Sequence, residues 1–311
     1  MSRNTHARRR PSRRAAVAAG LLLAVGLGAA TQAVAQAAPA EASVKTSAAV
    51  RSVNGFNGNV VTQVADFYGA YVDAKDTPRG PDTALAKALR AHYLTPAFAK
   101  KLEAWEKTNG ADGVLRAQNV PTGWTVREGN GGLEVVVTLT FGGLGESPVT
   151  TSSFVVKLDV VDGIADIRPT GTTPAKLSSK VPGKGSAAGR SVSGRTGDSV
   201  TQVADFYGAY VDAKDAPRGP DTALAKALRA HYLTPAFAKK LEAWEKTNKM
   251  DGVLRAQNVP VDWTVSGDGE SREIKVTHRF GGGEAPTVRT NLVVEADAVD
   301  GVANIRGMSA H

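Results

Sequence analysis

Val61, Val64, Tyr68 and Val72 recur at the spacing of one helical face, and Phe67 with Tyr71 forms an i,i+4 pair beside them. This pattern predicts a helix over 60–75. Thr77-Pro78-Arg79-Gly80-Pro81 interrupts it, since two prolines and a glycine cannot continue a helix. Asp82 then offers a capping side chain ahead of Leu85 and Leu89, and Thr95-Pro96 starts a third helix with Phe98, Leu102 and Trp105 on one face. Beyond Asn109 the period drops to two: Leu133, Val135, Val137, Leu139 and Phe141 alternate, as do Phe154, Val156, Leu158 and Val160. Trp124-Thr125-Val126 and Ile164-Ala165-Asp166-Ile167 supply two more strands, with Val161-Asp162-Gly163-Ile164 as a tight turn between the last two. Three helices followed by a four-stranded antiparallel sheet predict an α+β domain whose helices cover one sheet face.

The whole pattern occurs twice. Val61 to Pro121 returns as Val200 to Pro260 with three differences in 61 positions: Thr77/Ala216, Gly110/Lys249 and Ala111/Met250. The match then thins and reappears in Val160 to Arg168 and Ala298 to Arg306. A repeat of this length is a domain, not a solenoid unit. Two tandem, independently folding domains are therefore expected at 60–169 and 199–308. The Gly-, Pro- and Ser-rich stretch 170–198, with five basic side chains, predicts a flexible linker, and 41–59 a disordered spacer.

Charge changes the picture less than it first suggests. The chain carries a formal +8, yet residues 1–40 hold six arginines and no acid, leaving 32 basic against 30 acidic side chains in the remainder. No nucleic-acid partner is expected from so neutral a body. The basic start, the apolar small-residue run Ala15 to Ala30 and the A-x-A steps from Ala33 to Ala40 predict a signal peptide over 1–40. Ser12-Arg13-Arg14 is similar to the twin-arginine motif, without its large apolar pair. Export to the cell envelope or outside follows, with no membrane span after cleavage. The absence of cysteine excludes disulfides, thiolate catalysis and thiolate metal sites.

Asp66-Phe67-Tyr68, Tyr93-Leu94-Thr95-Pro96, the run Asp112 to Asn119 and the run Asp162 to Ile167 together resemble the bacterial envelope family known as domain of unknown function 3828. The resemblance covers both copies and implies a nuclear-transport-factor-2-like, or cystatin-like, roll. It implies no reaction. The family's central motif usually ends in Asp where both copies have Asn119 and Asn258.

Candidate site residues are polar or aromatic groups near the crossing from helices to sheet: Tyr68, Arg116, Gln118 and Trp124, with their repeats Tyr207, Arg255, Gln257 and Trp263. His278, standing where the first copy has Leu139, suggests a more polar second pocket with Tyr207 or Tyr210 as partner; a strand end fraying into water is the plainer reading. His92 and His231 read as cationic groups at a helix C-terminus, and Asp66 and Asp73 as solvated helix charges. Gly142-Gly143 and Gly281-Gly282-Gly283 lack the Lys and Ser/Thr of a phosphate loop. No catalytic residue, metal or cofactor is expected. The outer sheet face of the first copy, Val136, Thr138, Thr140 and Val155, is the stickier and is expected to make an inter-domain or dimer contact; the second has Lys275, Thr277 and Arg279, with Glu295 and Asp297 as cross-strand partners. Two tethered modules suit a binding protein with a protein or cell-wall partner. The alternative is a small-ligand pocket or a pocket enzyme, an isomerase or hydrolase, on the same roll.

Overall fold

The computed structural model describes residues 50–78, 80–143, 148–160, 163–170, 190–217, 219–268, 272–282, 285–297 and 301–308. The leader 1–40, residues 41–49 of the expected spacer, 171–189 of the expected linker and the turn at 161–162 lie outside them. In the first half, helices α1 (Val60–Lys75), α2 (Thr83–Tyr93) and α3 (Pro96–Asn109) precede strands β2 (Gly123–Glu128), β3 (Glu134–Phe141), β4 (Thr150–Asp159) and β5 (Gly163–Pro169). The second half repeats this order as α4 (Ser199–Lys214), α5 (Thr222–Tyr232), α6 (Pro235–Asn248), β7 (Asp262–Gly267), β8 (Glu273–Gly282), β9 (Ala285–Asp297) and β10 (Gly301–Gly307). The fold is mixed α+β, with antiparallel sheets. The expected caps form: the side chains of Asp82 and Thr95 accept the Leu85 and Phe98 N–H groups at 2.9 and 3.2 Å.

Two strands depart from expectation. Residues expected to be spacer form β1 (Arg51–Phe56), and residues expected to be linker form β6 (Ser191–Arg195). Each sheet therefore has five strands, not four, in the orders β1-β7-β8-β9-β10 and β5-β4-β3-β2-β6. The exchange is reciprocal. The strand leading into α1 closes the second half's sheet, while α1 itself packs on β2, β3 and β6; the strand leading into α4 closes the first half's sheet. Only Asn57 to Asn59 separate β1 from α1, and Gly58 (φ +74°) makes the turn. Neither half completes its own sheet.

A glycine in each exchanged strand receives a tryptophan from the sheet it joins. A Cβ on Gly55 would stand 2.2 Å from the Trp263 ring, and one on Gly194 would stand 2.5 Å from that of Trp124. Around this contact, Arg51 pairs with Asp198 at 2.5 Å, Asn57 Nδ2 donates to Asp215 at 2.6 Å, and the Arg190 guanidinium lies 4.3 Å over the Phe56 ring.

The halves meet through α1 against α4 and α2 against α5, so residues 47–311 are one compact unit. The inter-half contact runs through these helices and the exchanged strands. It does not run through the outer face of the first sheet, where Val136 and Val155 are half-buried by their own neighbours. On the outer face of the second sheet, Arg306 bridges Glu273 and Glu295, and Arg279 pairs with Asp262.

Candidate functional site

The helix contact between the halves is closest at two glycines. The carboxyl of Asp205 lies where a Cβ on Gly69 would be, and that of Asp66 lies where a Cβ on Gly208 would be. Asp66 and Asp73 are thus not solvated helix charges. They are buried, because the second half covers the α1 face that a lone copy would expose. Tyr232 donates to Asp73 and Tyr93 to Asp212, each at 2.7 Å. Burial raises the Asp66 carboxyl well above the usual range, and the charge of Asp212 adds to this; burial with Asp73 and Asp66 does the same to Asp205. Burial likewise pushes Asp73 and Asp212 up to about 7 against the favourable tyrosine bonds. One oxygen of Asp66 and one of Asp205 have no hydrogen-bond partner.

The two terminal-turn histidines belong to the same junction. His92 meets Asp221 and His231 meets Asp82, both at 3.0 Å and both across the halves, so they tie α2 to α5 instead of capping their own helices. Burial lowers both imidazoles, and the paired carboxylates only partly offset it.

Larger concave surfaces lie elsewhere on both halves, between the second and third helices and the Asp-Gly-Val-Leu-Arg-Ala-Gln-Asn segment. In the second half a single groove of about 910 Å³ is lined by Tyr210, Lys214, Arg229, Glu245, Asp251 and Gln257, among others. In the first half the corresponding walls bound two cavities of about 790 and 530 Å³. Both floors carry the same network. Tyr71 donates to Asp112 at 2.8 Å and accepts from Arg90 Nε at 3.0 Å, Lys75 pairs with Asp112 at 2.9 Å, and Arg90 forks onto Glu106. Tyr210, Asp251, Arg229, Lys214 and Glu245 repeat it. Although burial works against ionisation, the Leu115 N–H and Lys75 hold the Asp112 carboxyl below the usual range, and Leu254 with Lys214 does the same for Asp251. Burial raises the Tyr71 and Tyr210 phenols. The aspartates and phenols of these floors are thus shifted away from neutral pH, not towards it.

Of the nine residues expected at a site, Gln118 and Gln257 line the grooves. Arg116 and Arg255 adopt φ +53°, lie 4.2 and 4.0 Å over the rings of Trp105 and Trp244, and donate to the Ile167 and Ile305 carbonyls. They fasten the irregular segment between α3 and the last strand. Tyr68 and Tyr207 are buried, with their hydroxyls 3.4 Å from the Val114 and Val253 carbonyls. Trp124 and Trp263 are buried under the exchanged glycines. His278 does not fray into water; it is fully buried, packed 5.1 Å from the Tyr207 ring. Neither expected tyrosine bonds to it, because Tyr207 is committed to Val253 and Tyr210 to Asp251, and both ring nitrogens lack a partner. Burial drives its pKa down to about 4; the nearby Leu254 backbone, which makes no well-formed hydrogen bond to the ring, pulls the other way. The groove residues Tyr71, Lys75, Arg90, Glu106 and Asp112 were not among the site residues expected from the sequence.

Among the described residues no group of three or more His, Asp or Glu side chains is placed to hold a metal ion, and no helix is long and apolar enough to cross a membrane. No protein-family model matches the chain, and no curated protein matches it. Among solved structures, a protein of unknown function from Bacteroides thetaiotaomicron is similar: 23% identical, spanning 35% of this chain and 88% of that one, with a TM-score of 0.30. A likeness of that size says nothing about what this chain does.

Proposed function

We propose that this is an exported, non-catalytic binding protein built from two tandem copies of a cystatin-like roll, which takes protein segments into its two helix-side grooves. The observation that carries the reading is the state of the groove floors. Their arginines, lysines, tyrosines and carboxylates are paired with one another, and the shifts of Asp112 and Tyr71 lead away from neutral pH. Such floors offer shape and fixed charge, whereas acid–base chemistry needs a group poised near the working pH within reach of a substrate. The carboxyls near 7, the buried Asp73 and the half-buried Asp212, sit between the halves and line neither groove. That arrangement favours binding over the pocket-enzyme reading. A cell-wall partner is the other outcome to test.

Residues 47–311 should retain a protein from an envelope extract in pull-downs, or sediment with purified cell-wall sacculi. Ala99→Trp together with Ala238→Trp, which fill the two grooves from half-buried positions on their walls, should abolish capture. Capture that survives both tryptophans overturns the groove reading. N-terminal sequencing of the exported form should find a start between Gln36 and Glu41; an intact Met1 or Ser2 would refute the leader.

A further inference from the structure

Three positions differ among the 61 that the copies otherwise share, and two of the three, Gly110/Lys249 and Ala111/Met250, line the grooves side by side. Every other lining residue of the second groove has its identical counterpart in the first half. The molecule thus contains its own control experiment, with two grooves of one construction and different mouths.

The difference has three physical consequences. Lys249 ends α6 in the left-handed conformation, φ +55°, where the first half uses Gly110 at φ +61°. A side chain with a Cβ is disfavoured there, so the lysine is held at a cost in conformational energy. Second, the Gln118 amide closes onto the Gly110 carbonyl at 3.2 Å in the first half, whereas the Gln257 side chain has no hydrogen bond among the described residues and can meet a ligand. Third, the second groove is one cavity of about 910 Å³, with Met250 as added apolar wall, where the first is divided. Lys214 and Arg229 are spent on Asp251 and Glu245, and the exposed Lys226 of this groove is matched by Lys87 of the first. Lys249, exposed and paired with no carboxylate among the described residues, is the cation that the second groove has and the first lacks.

We propose that the second groove selects an anionic, partly apolar peptide segment that the first groove does not, with Lys249 as the specificity-determining cation, the Gln257 amide beside it as a donor and Met250 as the apolar contact. This rests on the groove reading above. The first groove, where Gln118 closes onto Gly110 and Lys87 is the counterpart of Lys226, has no cation in the place of Lys249 and prefers acidic segments less.

The test uses residues 47–311 and two fluorescein-labelled hexapeptides, one alternating leucine with glutamate and one alternating leucine with glutamine, followed by anisotropy at low salt. The expected result is one glutamate-peptide site per chain, about three- to fivefold tighter than the glutamine peptide, as a lone exposed ion pair allows. The preference should shrink with added salt. Lys249→Gly with Met250→Ala should erase it, and Gly110→Lys with Ala111→Met should create a second acidic site. Equal affinity for both peptides, with binding lost in Ala99→Trp/Ala238→Trp, overturns the selectivity and leaves the groove reading standing. A glutamate preference that survives Lys249→Gly/Met250→Ala overturns it as well. Binding of neither peptide fails both readings.

Discussion

Lys249 and Gly110 are the same position in two environments that differ by little else, so their exchange isolates the cost of a left-handed backbone. Lys249→Gly is expected to stabilise the chain by about 1 kcal/mol and raise its melting temperature, and Gly110→Lys to lower it by a similar amount. The buried ionisable groups act with opposite signs. Asp73 and Asp212 have folded values near 7 against a carboxylate reference of 3.8. They therefore contribute stability that is full below about pH 4 and lost as the pH rises through 7. Asp73→Asn with Asp212→Asn, which keep an acceptor for each tyrosine, should flatten the fall in melting temperature between pH 5 and pH 8; an unchanged slope would remove these carboxyls from the account. His278 is the reverse case, depressed from 6.5 to about 4. Its contribution is full above about pH 6.5 and lost as the pH falls towards 4. His278→Leu, the residue the first half carries at 139, also removes a buried imidazole without a well-formed hydrogen bond, which costs roughly 1–3 kcal/mol to bury. It should raise the melting temperature at pH 8 and raise it further at pH 5.

The helices were legible because their signals are local: the 3.6-residue period of α1, the Asp82 and Thr95 caps and Pro96 act within a turn of where they stand. The strands β1 and β6 were not, for a physical reason. Ser52-Val53-Asn54-Gly55 and Ser191-Val192-Ser193-Gly194 are short and polar on one face, and each carries a glycine, which reads as linker. The glycines make sense only from the far half, where Trp263 and Trp124 occupy the space a side chain would need. Gly55→Ala should therefore destabilise by about 1–3 kcal/mol through overpacking, with the loss read in a urea midpoint; a neutral result would mean that Trp263 is free to shift. The grooves were hidden by the repetition itself. When 58 of 61 residues recur, Tyr71, Arg90 and Asp112 stand out no more than their neighbours, and the informative positions were the few that did not recur.

At the scale of the whole molecule, the chain is arranged as a fused dimer. The contacts that join the halves through the helices come in twos related by the repeat: Asp66 on Gly208 and Asp205 on Gly69, Tyr93 on Asp212 and Tyr232 on Asp73, His92 on Asp221 and His231 on Asp82. Such a contact is self-complementary, because each side presents the same patch. Trp124 and Trp263 are likewise equivalent seats for the exchanged strand. A half expressed alone as residues 47–170 therefore lacks β6 at its sheet edge but carries everything a second copy of itself would need. Its β1 can seat on the partner's Trp124, and its Asp66 can meet the partner's Gly69. Residues 47–170 should thus sediment as a homodimer and melt with a midpoint that rises with concentration, since dimer formation and folding are linked. Deleting 47–56 exposes Trp124 and leaves β2 as a bare edge, so that fragment should lose cooperative melting. Gly69→Ala in the half should weaken the dimer while leaving the strand intact, which separates the helix contact from the exchange. A monomeric 47–170 with a cooperative, concentration-independent transition would show that the halves are independent domains and that the exchange adds nothing to their folding.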